Sequence, residues 1–172
     1  KNKIYVSGYF GRDELGLGQD FGIDWGNKTG TIRWNKIISN KLFLNTSFIY
    51  SDYNYNVKLK NGETNFNINS EIKDVNLKQD YTLYTNTQNT LRFGFNTILH
   101  NIRPSTFTGT VINSVAKTGR NGLENAVYLT NNYKATNQLT IDYGMRLSMY
   151  TLMGGDVYNI YQNGLVSSSI KL

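Results

Sequence analysis

The hydrophobic positions of this chain recur every second residue. From Leu139 to Tyr150, Leu139, Ile141, Tyr143, Met145, Leu147 and Met149 alternate with Thr140, Asp142, Gly144, Arg146, Ser148 and Tyr150. Successive side chains of a strand point to opposite faces, so this stretch predicts a strand with one apolar and one polar side. The pattern returns in Leu91–Asn101, where Leu91, Phe93, Phe95, Thr97 and Leu99 oppose Arg92, Gly94, Asn96, Ile98 and His100. In Leu42–Tyr50 the even positions Leu42, Leu44, Thr46, Phe48 and Tyr50 form the apolar side. Val75, Leu77, Gln79, Tyr81 and Leu83 give a less clean case, as do Ile4, Val6 and Phe10. In Ala126–Ala135 the favoured apolar side is Val127, Leu129 and Tyr133.

Seven long strands are predicted, at 2–12, 18–38, 41–60, 63–87, 90–103, 123–135 and 139–152. Three polar breaks, Ser39-Asn40-Lys41-Leu42, Gln88-Asn89-Thr90-Leu91 and Thr136-Asn137-Gln138-Leu139, each carry an Asn before a strand-opening Leu. Asn tolerates the left-handed backbone of short hairpin loops, so they read as one repeated turn, with two strands per repeat. The opposite connections are expected to be long or extended. Asn61-Gly62 is a two-residue hairpin signal that would pair Phe48 with Val75, Thr46 with Leu77 and Leu42 with Tyr81. A ribbon then continues past the apolar band, through 52–57 and 66–73. The connection 102–122 reads as a long loop, and Gly16-Leu17-Gly18 as a loop tip. Asn163-Gly164 is a further turn signal between 157–161 and 165–170, and 167–172 forms no clear closing strand.

Apolar stretches of about nine to eleven residues match tilted strands that cross a bilayer. Short turns on one side with long connections on the other match outer-membrane barrels. Trp34 and Phe43 near the short turns, and Tyr50 and Tyr150 near the far side, are expected to bracket the apolar band. A soluble sandwich or small barrel also alternates, with its apolar face inward. Strands of nearly twenty residues weigh against it, because soluble strands run to about five or six. The expected fold is therefore all-β: an antiparallel transmembrane β-barrel. Seven strands would leave two long open edges, so residues 1–172 are expected to be a fragment of one larger barrel domain.

Composition narrows the chemistry. Among 172 residues there are 18 Lys and Arg against 12 Asp and Glu, a net charge of +6, and no Cys. No disulfide, thiolate metal site or Cys nucleophile is available. The basic residues are scattered, so no nucleic-acid footprint is expected. The single His, His100, cannot be joined with a nucleophile and a base into a catalytic set, so no enzyme activity, metal site or cofactor is expected. On the polar face Arg33, Asp74, Lys78, Asp80, Arg92, Asp142 and Arg146 are the lumen-facing candidates, since Arg or Lys toward lipid costs up to about 2–4 kcal/mol. Asp52, Tyr53 and Tyr55, on the ribbon beyond the band, are the extracellular ligand-contact candidates.

Several short motifs in order carry a resemblance. Gly11-Arg12-Asp13, Trp25-Gly26-Asn27, Arg33-Trp34-Asn35 and Ser51-Asp52-Tyr53-Asn54-Tyr55 are followed by Phe93-Gly94-Phe95, Glu124-Asn125-Ala126-Val127-Tyr128 and Gly144-Met145-Arg146-Leu147. Together they resemble the barrel of TonB-dependent outer-membrane receptors, over nearly the whole chain up to about Met153. The resemblance implies a barrel of about 22 strands, with a plug domain and a TonB box that are not in this chain. It also implies energy-coupled uptake of a scarce solute such as an iron chelate, glycan or peptide, in the bacterial outer membrane. The partners would be outer-membrane lipid, the plug and remaining strands, the TonB complex and a surface lipoprotein. A non-transporting structural or adhesive barrel and a soluble all-β binding module stay open as alternatives.

Overall fold

The computed structural model describes residues 2–18, 20–62, 64–109, 119–154, 157–162 and 165–171. It is all-β, with no helix among the described residues. Seven strands, β1 (Asn2–Leu17), β2 (Phe21–Ile37), β3 (Leu42–Asn61), β4 (Thr64–Tyr84), β5 (Asn89–Gly109), β6 (Arg120–Lys134) and β7 (Thr140–Met153), form one antiparallel sheet in chain order. Strands β8 (Val157–Gln162) and β9 (Leu165–Lys171) pair only with each other. Residues 167–171 belong to β9 and, as expected, close no edge of the seven-stranded sheet. The Asn163-Gly164 turn signal lies outside the described residues.

The sequence periodicity locates the strands well, and the ends differ. β1 continues to Leu17 and takes in Gly16 and Leu17, leaving Gly18 at the turn with φ +66. β5 runs to Gly109 and β6 starts at Arg120, which shortens the long connection to 110–119. Residues 110–118 of it lie outside the described residues. On that side β1 and β2 join through 18–20, and β3 and β4 pair up to Asn61↔Thr64. The asymmetry between the two ends therefore comes mainly from strand length: β3, β4 and β5 span 20, 21 and 21 residues.

The β3–β4 register corrects the expected one by two residues. Phe48 faces Leu77, Thr46 faces Gln79 and Leu42 faces Leu83. The turn begins one residue late, at Gly62, whose φ of +60 suits the first central position of a primed hairpin turn. A shift of two keeps every side chain on its face, so the apolar sides still meet.

The three opposite turns share a device that the Asn alignment mistook. Ser39 Oγ accepts the backbone N–H of Lys41 and Leu42, and Thr136 Oγ accepts those of Gln138 and Leu139. In the middle turn the equivalent acceptor is Asn86 Oδ1, which takes the N–H of Gln88 and Asn89. Asn89 is the first residue of β5 and not the centre of a turn. The repeat is therefore a side-chain oxygen closing the turn onto the backbone two and three residues on.

Side-chain burial shows which way the sheet curls. Beyond glycine, the buried residues among those described are Ser47, Asn96 and Ala126, all on the polar face and in one ladder row. The apolar face is open: Val6 is 76% exposed, Leu147 72% and, on a central strand, Phe48 46%. The small polar-face residues are crowded by larger neighbours because that face is concave. The apolar face is convex, and no second layer of the described residues covers it. The aromatic bracket holds in part. Trp34 and Tyr50 are on the convex face, while Phe43, edge-on to Tyr84 at 5.6 Å, and Tyr150 are on the concave one. On the convex face Tyr81 stacks on Phe93 at 5.1 Å.

Candidate functional site: the concave polar wall

All seven lumen-facing candidates share the concave face. The ladder Asn45–Asp80–Gly94–Tyr128–Arg146 fixes one row, and Asp74–His100–Gly122 another. Arg33 stands level with Ser47 and Lys78, and Arg92 with Thr82 and Thr130. Asp142 faces Asn132, whose Nδ2 donates to Oδ1 at 2.7 Å.

The structure joins several of these into two clusters. In the first, Lys78 Nζ lies 3.3 Å from Asp80 Oδ2, and the Tyr128 hydroxyl donates to Asp80 Oδ1. Tyr128 is on β6 and Asp80 on β4, so the phenol crosses the intervening strand at Gly94. A Cβ there would sit 3.0 Å from the Tyr128 oxygen and overlap the Gln79 carbonyl. In the second, His100 Nδ1 is 2.8 Å from Asp74 Oδ1 and Nε2 is 3.8 Å from Glu124 Oε2. Glu124 Oε1 in turn lies 3.9 Å from Arg146 Nη2. Tyr150 of β7 lies across Gly122 of β6, with its ring centre 6.3 Å from that of His100 on β5. The same construction occurs twice: a tyrosine passes over a glycine strand to reach a polar group two strands away.

Arg33 and Arg92 are exposed on this wall and form no ion pair among the described residues. A shallow hollow of about 680 Å³ is lined by Lys78, Arg92, Tyr128, Asp142 and Arg146 among others. A second, of about 280 Å³, is lined by Lys3, Tyr5, Asn35, Asn45 and Asp80 among others. Charges of both signs held in clusters make a wetted wall able to grip polar groups. No three His, Asp or Glu side chains among the described residues gather as metal ligands.

The three extracellular candidates do not stay together. Tyr53 and Tyr55 continue the concave face, whereas Asp52 turns to the convex face, level with Lys28 and Lys73. Sequence reasoning also missed His100, Glu124, Tyr128 and Tyr150 as members of the wall clusters. Their parity matches that of Arg146, which is the signal that could have found them.

The energetics of the clusters separate. We expect Arg146→Leu to cost less than about 1 kcal/mol, because a half-exposed pair at 3.9 Å is weak. Asp80→Ala leaves the Tyr128 hydroxyl without its acceptor and is expected to cost about 1–3 kcal/mol. Urea titration of the two variants of the full protein in detergent measures both.

No known protein family, curated protein or solved structure matches the chain.

Proposed function

We propose that this sheet is part of the wall of an outer-membrane β-barrel of the TonB-dependent kind, lining the path of a scarce solute. It has no catalytic role in this reading. The observation that carries it is the division of one curved sheet into an uncovered apolar convex face and a charged concave face. A soluble sheet of this curvature would turn its apolar side inward; a membrane barrel turns it out to hydrocarbon. Strands of 14–21 residues provide the bilayer span and a rise beyond it. The outer edges of β1 and β7 carry no partner strand among the described residues. Long open edges favour further strands on both sides, as in a larger closed barrel.

In this role the concave wall holds a plug and the passing solute. The TonB complex acts through other parts of the protein, and a surface lipoprotein would cap the outer mouth. Residues 1–172 contain no Cys, so a single cysteine placed there reports alone in a full-length background freed of any others. Bimane-labelled cysteines at 145–150 of the full-length protein in vesicles should alternate. Positions 145, 147 and 149 should be quenched by nitroxide lipid, and 146, 148 and 150 by aqueous iodide. Shielding of the odd positions from both quenchers would mean a packed soluble core and end the barrel reading. Binding of the TonB periplasmic domain to the full protein separates the importer from a structural or adhesive barrel: no binding removes the importer.

A further inference from the structure

Beyond the apolar band the two faces exchange character. On β1–β4 the concave face from the Gly11–Asn27–Tyr53–Ile72 row to the Leu17–Phe21–Leu59–Phe66 row offers sixteen positions, and Asp13 is the one charge among them. The row Leu15–Ile23–Val57–Ile68 is wholly aliphatic, and Trp25 and Tyr55 stand beside it. The interleaved convex rows, from Phe10–Lys28–Asp52–Lys73 to Gly16–Gly22–Lys58–Asn67, hold eight charges in sixteen positions. These include Arg12–Asp24 at 3.2 Å, Lys58–Asp24 at 3.9 Å and Lys73–Glu71 at 2.6 Å. No register shift interrupts β1–β4, so the exchange is written in the sequence and not produced by a bulge.

The convex side here is built for water, and the concave side for something apolar. We propose that this upper concave face is a docking surface for the apolar or aromatic body of a solute. The inference rests on the barrel reading, in which the face lines the outer mouth. Charge complementarity selects the occupant. The patch accepts an uncharged body, while the wall directly below it, at Asp74 and His100, accepts polar groups. An amphipathic solute lying along β3 and β4 satisfies both.

The test uses 8-anilinonaphthalene-1-sulfonate as probe and the full-length protein in lipid nanodiscs. Saturable energy transfer to the dye is expected, with a component lost in Trp25→Phe. Val57→Asp should weaken the dye's affinity about tenfold or more, while the near-isosteric Val57→Thr shifts it far less. Transfer that Trp25→Phe leaves unchanged, or affinity that Val57→Asp leaves unchanged, overturns the proposal. A cysteine at Val57 should react with an impermeant maleimide on intact cells as a cysteine at Asn56 does. Protection at 57 alone means that a protein layer covers the face, which also overturns it. The lipid-quenching pattern at 145–150 is read separately: if it alternates and the dye result fails, the barrel stands and only the docking surface falls.

Discussion

Arginine in place of Leu147 is expected to cost the full-length protein about 2–4 kcal/mol of stability in lipid, whereas arginine at Ser148 costs less than about 1 kcal/mol. The two residues are neighbours on β7 and differ in face. Leu147 is 72% exposed on the convex side, level with Val127 and Ile4 in the apolar band. In the proposed barrel that face meets hydrocarbon, where a guanidinium loses its hydration and finds no partner. Ser148 lies on the concave wall, where its hydroxyl accepts from Arg146 Nε at 3.2 Å, so its replacement loses one exposed hydrogen bond and adds a like charge. Urea titration in lipid vesicles, read by the heat-dependent gel shift of folded barrels, gives both values. Equal, small effects would mean that the convex face meets water, and the membrane reading would go. Loss of Leu147→Arg folding in detergent-free buffer, with the parent monomeric there, would mean the same.

The periodic part of this architecture was legible because period two needs no long-range information. Each strand declares its own faces, and Val127, Leu129 and Tyr133 all fall on the favoured side. Registers and turns are different. Asn61-Gly62 is the stronger local signal for a two-residue loop, yet the register places the loop one residue later, and parity cannot separate registers that differ by two. Asn86, not Asn89, closes the middle turn, and nothing short of the hydrogen bonds distinguishes them. The aromatic bracket holds only for Trp34 and Tyr50, because it used position along the strand without parity, which sends Phe43 and Tyr150 to the concave side. The same neglect joined Asp52 to Tyr53 and Tyr55. Beyond about residue 52 the apolar parity reverses, and a reading that carries one parity through a whole strand overlooks it. The wall clusters were half visible: their charges share a parity, but the tyrosine bridges span three strands and depend on registers that no single strand encodes.

Those bridges make Gly94 the position where a small substitution should do the most local damage. A Cβ at Gly94 overlaps the Gln79 carbonyl oxygen of the adjacent strand and crowds the Tyr128 hydroxyl. β4 and β5 must therefore move apart, and the bulk of a valine also displaces Tyr128 from Asp80. Overpacking of this kind costs about 1–3 kcal/mol, and losing a hydrogen bond to a carboxylate costs about 1.5–3 kcal/mol. Gly94→Val is expected to cost at least about 2.5 kcal/mol, since it incurs both. Tyr128→Phe removes only the hydrogen bond and should cost less than Gly94→Val. Gly30 lies on the convex face, and a Cβ added there would meet nothing within 4 Å. Valine there adds β propensity and apolar surface on the convex face, so Gly30→Val should be neutral or stabilise by up to about 1 kcal/mol. Denaturation of the parent and the three variants in the same lipid compares them directly. If Gly94→Val costs no more than Tyr128→Phe, the strands absorb the side chain, and the close approach of β4 to β5 is not what holds this part of the wall.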